Sequence, residues 1–260
     1  MKVNLLNRKM LAVVCSTVLF VGMSMMTYAQ KPQHKKKKNE PQAQQQPTQQ
    51  KQVQQQKSVQ QQVRQQQQDK KQYDQRLTKY SQTLAQQQKL YQKSMAQLQG
   101  EKRMSQTRYQ QQYSAKMLQQ QKRYEKARNY NYQNDPFFQT VFDRRYNRGG
   151  TYYETNRYGI EHLQQAIQYG YAEGYQAGMA DRQDRWRSNY EITDAYRDAN
   201  YGYNGYYVSQ DDYNYYFREG FRRGYEDGYN KRYQYGSFSN GKYSILDNIL
   251  ARIIPFEMLR

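Results

Sequence analysis

Apolar residues in the C-terminal part of the chain recur every three or four positions, the spacing of one helix face. One stripe runs through Ile160, Leu163 and Ile167 into GYAEGYQAGM at 170–179. A second stripe leads into GFRRGYEDGY at 220–229. Both decapeptides read G-[YF]-x-x-G-Y-x-x-G-[MY], with an offset of 50 residues. The pattern predicts two related helices in a small helical domain.

Both predicted helices carry glycine on the apolar stripe itself. Each glycine inside a helix costs about 1 kcal/mol relative to alanine, so these positions need a compensating contact. Glycines four residues apart form a groove that lets a second backbone approach closely, and flanking aromatic rings bury large areas across it. We expect an antiparallel hairpin within residues 157–260. Its helix-contact positions are Gly170, Gly174, Gly178, Gly220, Gly224 and Gly228.

Upstream, residues 73–128 contain no proline and a single glycine, Gly100, among good helix formers. QQQKLYQK at 86–93 recurs as QQQKRYEK at 119–126. An 11-residue frame, with Lys102 in the missing place, holds four tyrosines: Tyr80, Tyr91, Tyr113 and Tyr124. Eleven residues are close to three helical turns, so these tyrosines lie on one face of a helix. We therefore expect their rings to pack against other parts of the protein, and assign stacking on nucleotide bases only second place. We predict one long helix or weak coiled coil, with a solvated single helix as the alternative.

Two shorter regions complete the C-terminal half. Residues 129–156 are interpreted as a linker, in which Asp135 followed by Pro136 predicts a helix N-terminus. The aliphatic stripe from Ile245 to Ile254 predicts a third helix. That helix either packs on the stripe of the first glycine helix or is exposed as an anchor for a partner or a membrane surface.

The N-terminus is typical of a secretory signal peptide. Lys2, Arg8 and Lys9 precede an apolar run, and Ala29 ends a small-residue cleavage site. We therefore assign residues 1–29 to the signal and expect a secreted or periplasmic protein after cleavage near Ala29. An uncleaved anchor is the alternative. No later apolar run reaches about 18 residues, so no integral membrane span is expected in the mature chain.

The charge of the mature chain divides near residue 130. Residues 30–130 hold 22 Lys and Arg against 5 Asp and Glu, a balance of +17, whereas residues 131–260 hold 16 against 17. Residues 30–72 are rich in Gln and Lys with almost no core-forming side chains, which predicts a disordered tail.

A basic excess of this size favours polyanionic partners. The expected partners are envelope polysaccharide, anionic lipid headgroups or extracellular DNA. A solvated run that keeps the chain soluble is the alternative for the first four cations. The candidate contacts are Lys35, Lys36, Lys37, Lys38, Lys70, Lys71, Lys102, Arg103, Lys122 and Arg123.

The residue types that catalysis needs are scarce. The only histidines are His34 and His162, and the one cysteine, Cys15, lies inside the signal peptide, which excludes a disulfide framework in the mature chain. No phosphate-binding loop is visible. Asp181 and Asp184 have arginines nearby for surface pairing, and His162 is expected on a helix surface. We predict no enzyme, no cofactor and no metal.

Spaced copies of G-[YF]-x-x-G-Y-x-x-G after a secretion signal resemble uncharacterised Tyr/Gly/Arg-rich secreted proteins of environmental bacteria. The resemblance covers residues 160–235 at most. It implies no activity and no site residues.

The fold class expected is thus mainly α: a disordered basic tail, one long helix, and a glycine-faced helical domain. Two functions are compatible with it. The first is a non-catalytic envelope or extracellular protein whose basic N-terminal half binds polyanionic surfaces. The alternative is a self-assembling structural subunit of the envelope or extracellular matrix, a homo-oligomer in which the long helix and the glycine faces pair between chains.

Overall fold

A computed structural model describes the backbone of residues 46–126 and 134–259, with the side chains from Lys71 onward except Tyr73. Residues 54–260 form one compact unit. In chain order the elements are α1 (Gln46–Gly100), α2 (Met104–Lys126), α3 (Pro136–Gln139), β1 (Arg144–Arg148), β2 (Thr151–Thr155), α4 (Arg157–Gln183), a 3₁₀ turn (Tyr190–Ile192), α5 (Asp194–Asp198), α6 (Gln210–Asn230), β3 (Gly236–Ser239), β4 (Lys242–Ile245), α7 (Asp247–Ile253) and β5 (Phe256–Met258).

The fold is mainly helical, as predicted, with two small antiparallel sheets. β1 lies between β2 and β5, and β3 pairs with β4. Residues 129–156, where the sequence predicts a linker, contain α3, β1 and β2. Asp135 caps α3 by accepting a hydrogen bond of 2.8 Å from the backbone N–H of Phe137, which confirms the predicted helix N-terminus. The strands RRYNR and TYYET lack an apolar alternation, so no strand pattern was visible.

The central helices, α4 and α6, pack backbone against backbone through their glycines. At each of the six glycines, a Cβ atom would lie closer than van der Waals contact to a carbonyl group of the other helix, so only glycine permits this approach. The facing pairs are Gly170 with Phe217, Gly174 with Phe221, Gly178 with Tyr225, Gly220 with Ile167, Gly224 with Tyr171, and Gly228 with Tyr175.

Residue numbers rise together along both helices in these pairs, so α4 and α6 run parallel. The antiparallel direction expected from the repeat is wrong. The reason lies in the connector, residues 184–209, which is long enough to return along the whole helix pair. Its Tyr190 packs on Tyr225 late in α6, and its Tyr203 packs on Tyr213 early in α6. Parallel pairing sets equivalent residues of the repeat side by side.

α1 and α2 form a helical hairpin in place of the single long helix predicted. The chain turns at residues 101–103, where Lys102 adopts a left-handed φ of 58°. Lys102 is the midpoint of the 11-residue tyrosine frame, so a turn there folds the frame onto itself. The facing rings are Tyr80 with Tyr124, at 4.9 Å between centroids, and Tyr91 with Tyr113, at 5.8 Å. Burial of these rings offsets the helical hydrogen bonds lost at the turn.

The first hairpin helix is longer than the sequence suggests. α1 begins at Gln46, so residues 46–72 are helical where a disordered tail is predicted. Gln and Lys are good helix formers, and Pro47 stands in the first turn, where proline is tolerated. Residues 30–45 of the predicted tail and the predicted signal peptide at 1–29 lie outside the described residues.

The C-terminal segment does not form the predicted helix from Ile245 to Ile254. Ile245 ends β4, α7 is only seven residues long, and β5 then joins β1. No residue of α7 is fully buried. Three of its apolar residues pack at the edge of the core: Ile249, Leu250 and Ile253. The segment is therefore partly packed, which is intermediate between the packed helix and the exposed anchor considered from the sequence.

Candidate polyanion-binding surface

The inner face of the α1–α2 hairpin is held by buried carboxylates of the head, which comprises residues 157–259. Asp198 accepts hydrogen bonds from the hydroxyls of Tyr91 and Tyr113, the latter at 2.5 Å, and from the backbone N–H of Asn200 at 3.1 Å. Burial raises the pKa of Asp198 to about 7, because desolvation disfavours the charged carboxylate. One head residue thus contacts both hairpin helices.

Arg103 is predicted to bind polyanions, but the structure buries it at 4% exposure. Its guanidinium pairs with the fully buried Asp181 of α4 and with Glu101 at 3.5 Å. It also lies 4.5 Å from the centroid of the Trp186 ring. Both terminal nitrogens are engaged inside the protein, so the prediction is wrong at Arg103. The ion pair of Arg103 with Asp181 links the hairpin to the head.

Two further head carboxylates complete this contact. Glu173 accepts a hydrogen bond of 2.6 Å from Nζ of Lys116. Asp184 accepts hydrogen bonds from the backbone N–H groups of Ser105 and Gln106, at 2.9 and 2.8 Å. Asp184 therefore caps α2, because the free amides and the dipole of a helix N-terminus favour an anion. The sequence predicts that Asp184 pairs with an arginine at the surface. In the structure, Asp184 instead binds the N-terminus of α2.

The opposite face of the hairpin carries repeated lysine pairs. In KLYQK at 89–93 and in KRYEK at 122–126, a lysine stands two residues before and two residues after a tyrosine. Two residues correspond to about 200° around a helix, so an inward tyrosine places both lysines on the outer side. The four outer lysines are all exposed: Lys89, Lys93, Lys122 and Lys126. We call these four residues the outer face.

The outer face has further cations around it and few carboxylates. The other exposed cations in the described part of the hairpin are Lys71, Lys79, Lys102, Arg108 and Arg123. The exposed carboxylates in the same part are Asp74, Glu101 and Glu125. The solvent side of the hairpin is therefore strongly basic, whereas the cations on its inner side are paired with head carboxylates.

The structure separates the ten predicted polyanion contacts into four groups, of which the buried Arg103 is one. Those with exposed side chains are Lys71, Lys102, Lys122 and Arg123. Lys70 lies in α1 with an undescribed side chain, and four residues lie outside the described part: Lys35, Lys36, Lys37 and Lys38. Sequence reasoning missed Lys89, Lys93 and Lys126. The octapeptide repeat contained the signal, because each copy brackets a tyrosine with lysines at two-residue spacing.

The hairpin tyrosines are not available to stack on nucleotide bases. Tyr80, Tyr91, Tyr109 and Tyr113 are each at most 4% exposed. The hydroxyl of the partly buried Tyr124 donates to the backbone carbonyl of Tyr203 in the head. Their assignment to packing is confirmed, and no aromatic platform of the kind used on single strands remains at these positions.

His162 of α4 is buried in the protein core, whereas the sequence analysis expects it on a helix surface. Its ring centroid is 4.9 Å from that of Tyr213, and burial lowers its pKa to about 4. Within residues 46–126 and 134–259, no group of three or more His, Cys, Asp and Glu side chains could hold a metal ion. None of the helices in those ranges has the length and apolar character needed to cross a bilayer.

No protein-family model, no curated protein and no solved structure matches this chain. The resemblance to secreted Tyr/Gly/Arg-rich proteins stays a prediction. Function is therefore inferred from the charge and the geometry of this chain alone.

Proposed function

We propose that this protein is a non-catalytic secreted or envelope protein that binds polyanionic surfaces through the outer face of its helical hairpin. The observation that carries the proposal is the doubled K-x-Y-x-K pattern. Tyr91 is buried and Tyr124 partly buried toward the other helix and the head, which fixes the rotation of each helix. The lysine pairs on both helices are thereby held toward solvent.

The charge distribution supports a surface of this kind. The cations that the fold uses internally, Arg103 and Lys116, already have carboxylate partners in the head. The outer lysines have no such role, and the fold would be equally well satisfied by neutral side chains there. Lysine presents a compact point charge without a fixed fork. This suits attraction to repeated phosphate, sulfate or carboxylate groups more than recognition of a single shaped ligand.

The expected binding is electrostatic and independent of base sequence. Lysines neutralise anionic groups and release counterions, so affinity falls steeply as salt rises. No recognition helix or aromatic platform accompanies the outer lysines, so discrimination between nucleotide sequences is not expected. Lys35 to Lys38 would add to the same interaction at the N-terminal end of the mature chain.

The assembly alternative rests on the long helix, which the structure folds into the α1–α2 hairpin, and on the glycine faces. Those faces are buried against each other within one chain, so the described residues leave no free glycine surface for pairing between chains. Polyanion binding uses a surface that is exposed, and we therefore place it first.

The test uses the full mature chain, because the hairpin packs on the head and its separate folding is not established. Fluorescence anisotropy measures binding to labelled heparin, duplex DNA and anionic vesicles over a salt series. The test variant replaces the outer face with glutamine: Lys89→Gln, Lys93→Gln, Lys122→Gln and Lys126→Gln. The matched control removes the same charge from exposed head positions: Arg157→Gln, Arg182→Gln, Arg222→Gln and Arg252→Gln.

The outer-face variant should bind all three probes more weakly. On duplex DNA its log–log salt slope should become shallower by up to about 3.6, since each phosphate contact contributes about 0.9. The control variant should keep most of the affinity and the slope. Equal loss in both variants would show that only net charge matters, and an unchanged outer-face variant would remove the proposal. Cell fractionation with an antibody to the head tests the proposed location independently.

A further inference from the structure

Three of the tyrosines with described side chains are more than a third exposed: Tyr152, Tyr215 and Tyr233, at 54%, 38% and 50%. Their surroundings differ. Tyr152 lies beside the guanidinium of Arg145, which is 4.8 Å from the centroid of the ring. Tyr215 contacts its neighbour Tyr216 edge-on. Within the described part of the chain, Tyr233 is therefore the one exposed tyrosine whose ring stacks on another tyrosine.

The ring partner of Tyr233 is Tyr175 of α4. Their centroids are 5.5 Å apart and their planes differ by 8°, which is an offset-stacked arrangement. Tyr175 is only 5% exposed, and its ring also stacks on that of the half-buried Tyr243 of β4, at 4.0 Å between centroids. We call these three residues the tyrosine stack. A dissolved oxidant can reach the stack at Tyr233, whereas Tyr175 is shielded from it.

Two phenols in contact are the substrates of oxidative coupling. Removal of one electron and one proton from Tyr233 leaves a phenoxyl radical at the surface. Tyr175 can supply an electron and a proton to that radical across the stack, and a second oxidation of Tyr233 then gives two neighbouring radicals. These radicals combine through ring carbons next to the hydroxyls, forming one C–C bond, and the two ring hydrogens move to the oxygens. In total, two electrons and two protons reduce one hydrogen peroxide to two waters.

We propose that Tyr233 and Tyr175 are an oxidative cross-linking site, at which a haem peroxidase with hydrogen peroxide joins them as an intramolecular dityrosine. Residues 231–235 belong to no helix or strand, so the Tyr233 ring can shift into bonding distance. Tyr243 is less exposed than Tyr233 and lies close enough to overlap Tyr175 face to face, whereas coupling joins the edges of two rings. The bond would fasten the end of α6 to α4 in a chain whose only cysteine is Cys15.

The test treats the full mature chain, at low protein concentration, with a haem peroxidase and hydrogen peroxide. Dityrosine is followed by its blue fluorescence. Tryptic peptides 158–182 and 233–242 should be recovered as one species that lacks two hydrogen atoms, and fragmentation should assign the bond to Tyr175 and Tyr233. Denaturing gels should show a monomer. The cross-linked chain should melt at a higher temperature, because a closed loop lowers the entropy of the unfolded state.

A conservative substitution tests the assignment to Tyr233. Tyr233→Phe keeps the stacked ring and removes the O–H group that the oxidation breaks, so this variant should fold normally and lose the cross-link. Tyr152→Phe and Tyr215→Phe are the matched controls, because each removes an exposed phenol that is not stacked on another tyrosine. Both controls should form the cross-link as the unmodified chain does. Circular dichroism melts before oxidation establish that all three variants are folded.

Several results would overturn the proposal. One is an unchanged yield of dityrosine in Tyr233→Phe, and another is a bond that joins Tyr175 to Tyr243. Cross-linked dimers without the intramolecular product would show that only surface tyrosines of different chains couple. No dityrosine under conditions that couple free N-acetyltyrosinamide would exclude the site altogether. These outcomes are independent of polyanion binding, because the outer-face variant with four glutamines should cross-link like the unmodified chain.

Discussion

Gly224→Ala tests the backbone contact at the centre of the head. An alanine Cβ at this position would stand 2.8 Å from the carbonyl carbon of Tyr171 and 2.9 Å from its Cα, and nearer still to the carbonyl oxygen. All three atoms belong to the backbone of α4, so no side-chain rotation relieves the overlap. Ordinary carbon–carbon contact needs about 3.5–4.0 Å, so α4 and α6 would have to separate by about 1 Å.

Two opposing effects set the size of the change. Alanine improves helix propensity by about 1 kcal/mol over glycine. Overpacking typically costs about 1–3 kcal/mol and more where the neighbours cannot move. Because the clash is with backbone and lies midway along the helix pair, we expect the upper part of that range. The net prediction is a loss of about 2 kcal/mol in the free energy of unfolding.

Gly100→Ala is the matched control for this prediction. It makes the same chemical change at the end of α1, where an added Cβ meets no atom within 4 Å. It should therefore gain up to about 1 kcal/mol. Urea unfolding followed by far-UV circular dichroism measures both variants, and thermal melts should shift by about 2–4 °C per kcal/mol. If Gly224→Ala is as stable as the unmodified chain, the close approach of the two backbones is wrong.

Three further predictions concern the contact between hairpin and head. The folded pKa of Asp198, about 7, exceeds its unfolded value, so folding takes up a proton between about pH 4 and 7. The free energy of unfolding should fall as pH rises through that window, and Asp198→Asn should flatten this dependence in urea titrations at several pH values. Arg103→Ala should cost about 3–5 kcal/mol in thermal unfolding, because it strands the buried Asp181, whereas Lys122→Ala should stay within about 0.5 kcal/mol. Asp184→Ala should cost about 0.5–2 kcal/mol in urea unfolding by uncapping α2.

The helical class and the contact role of the glycines follow from spacing alone. Glycine every fourth residue on an apolar stripe makes sense only if another backbone lies there. The direction of the partner helix does not follow, because a periodic stripe fits a parallel or an antiparallel neighbour equally well. The path of residues 184–209 decides it, and that path depends on tertiary contacts of single tyrosines such as Tyr190 and Tyr203.

The hairpin shows the same division between local pattern and tertiary arrangement. The tyrosine frame is visible in the sequence, but the frame fits one straight helix as well as two folded at Lys102. Neighbouring residues then acquire opposite roles: Lys102 is exposed in the turn, and Arg103 is buried on Asp181. Composition treats the two cations alike. Only the turn geometry separates the one that faces solvent from the one that holds the fold.

The pairing of α4 with α6 is reciprocal. Gly170 meets Phe217 and Gly220 meets Ile167, which is the same contact displaced by 50 residues. This is the property of a twofold symmetric homodimer interface, in which one patch binds its own copy. One helix of this type holds both halves of the interface. Duplication with a tether would turn its self-association into an intramolecular event at an effective concentration of about millimolar or above. Exchange of α6 between two chains would reverse that step and make a domain-swapped dimer without any new contact.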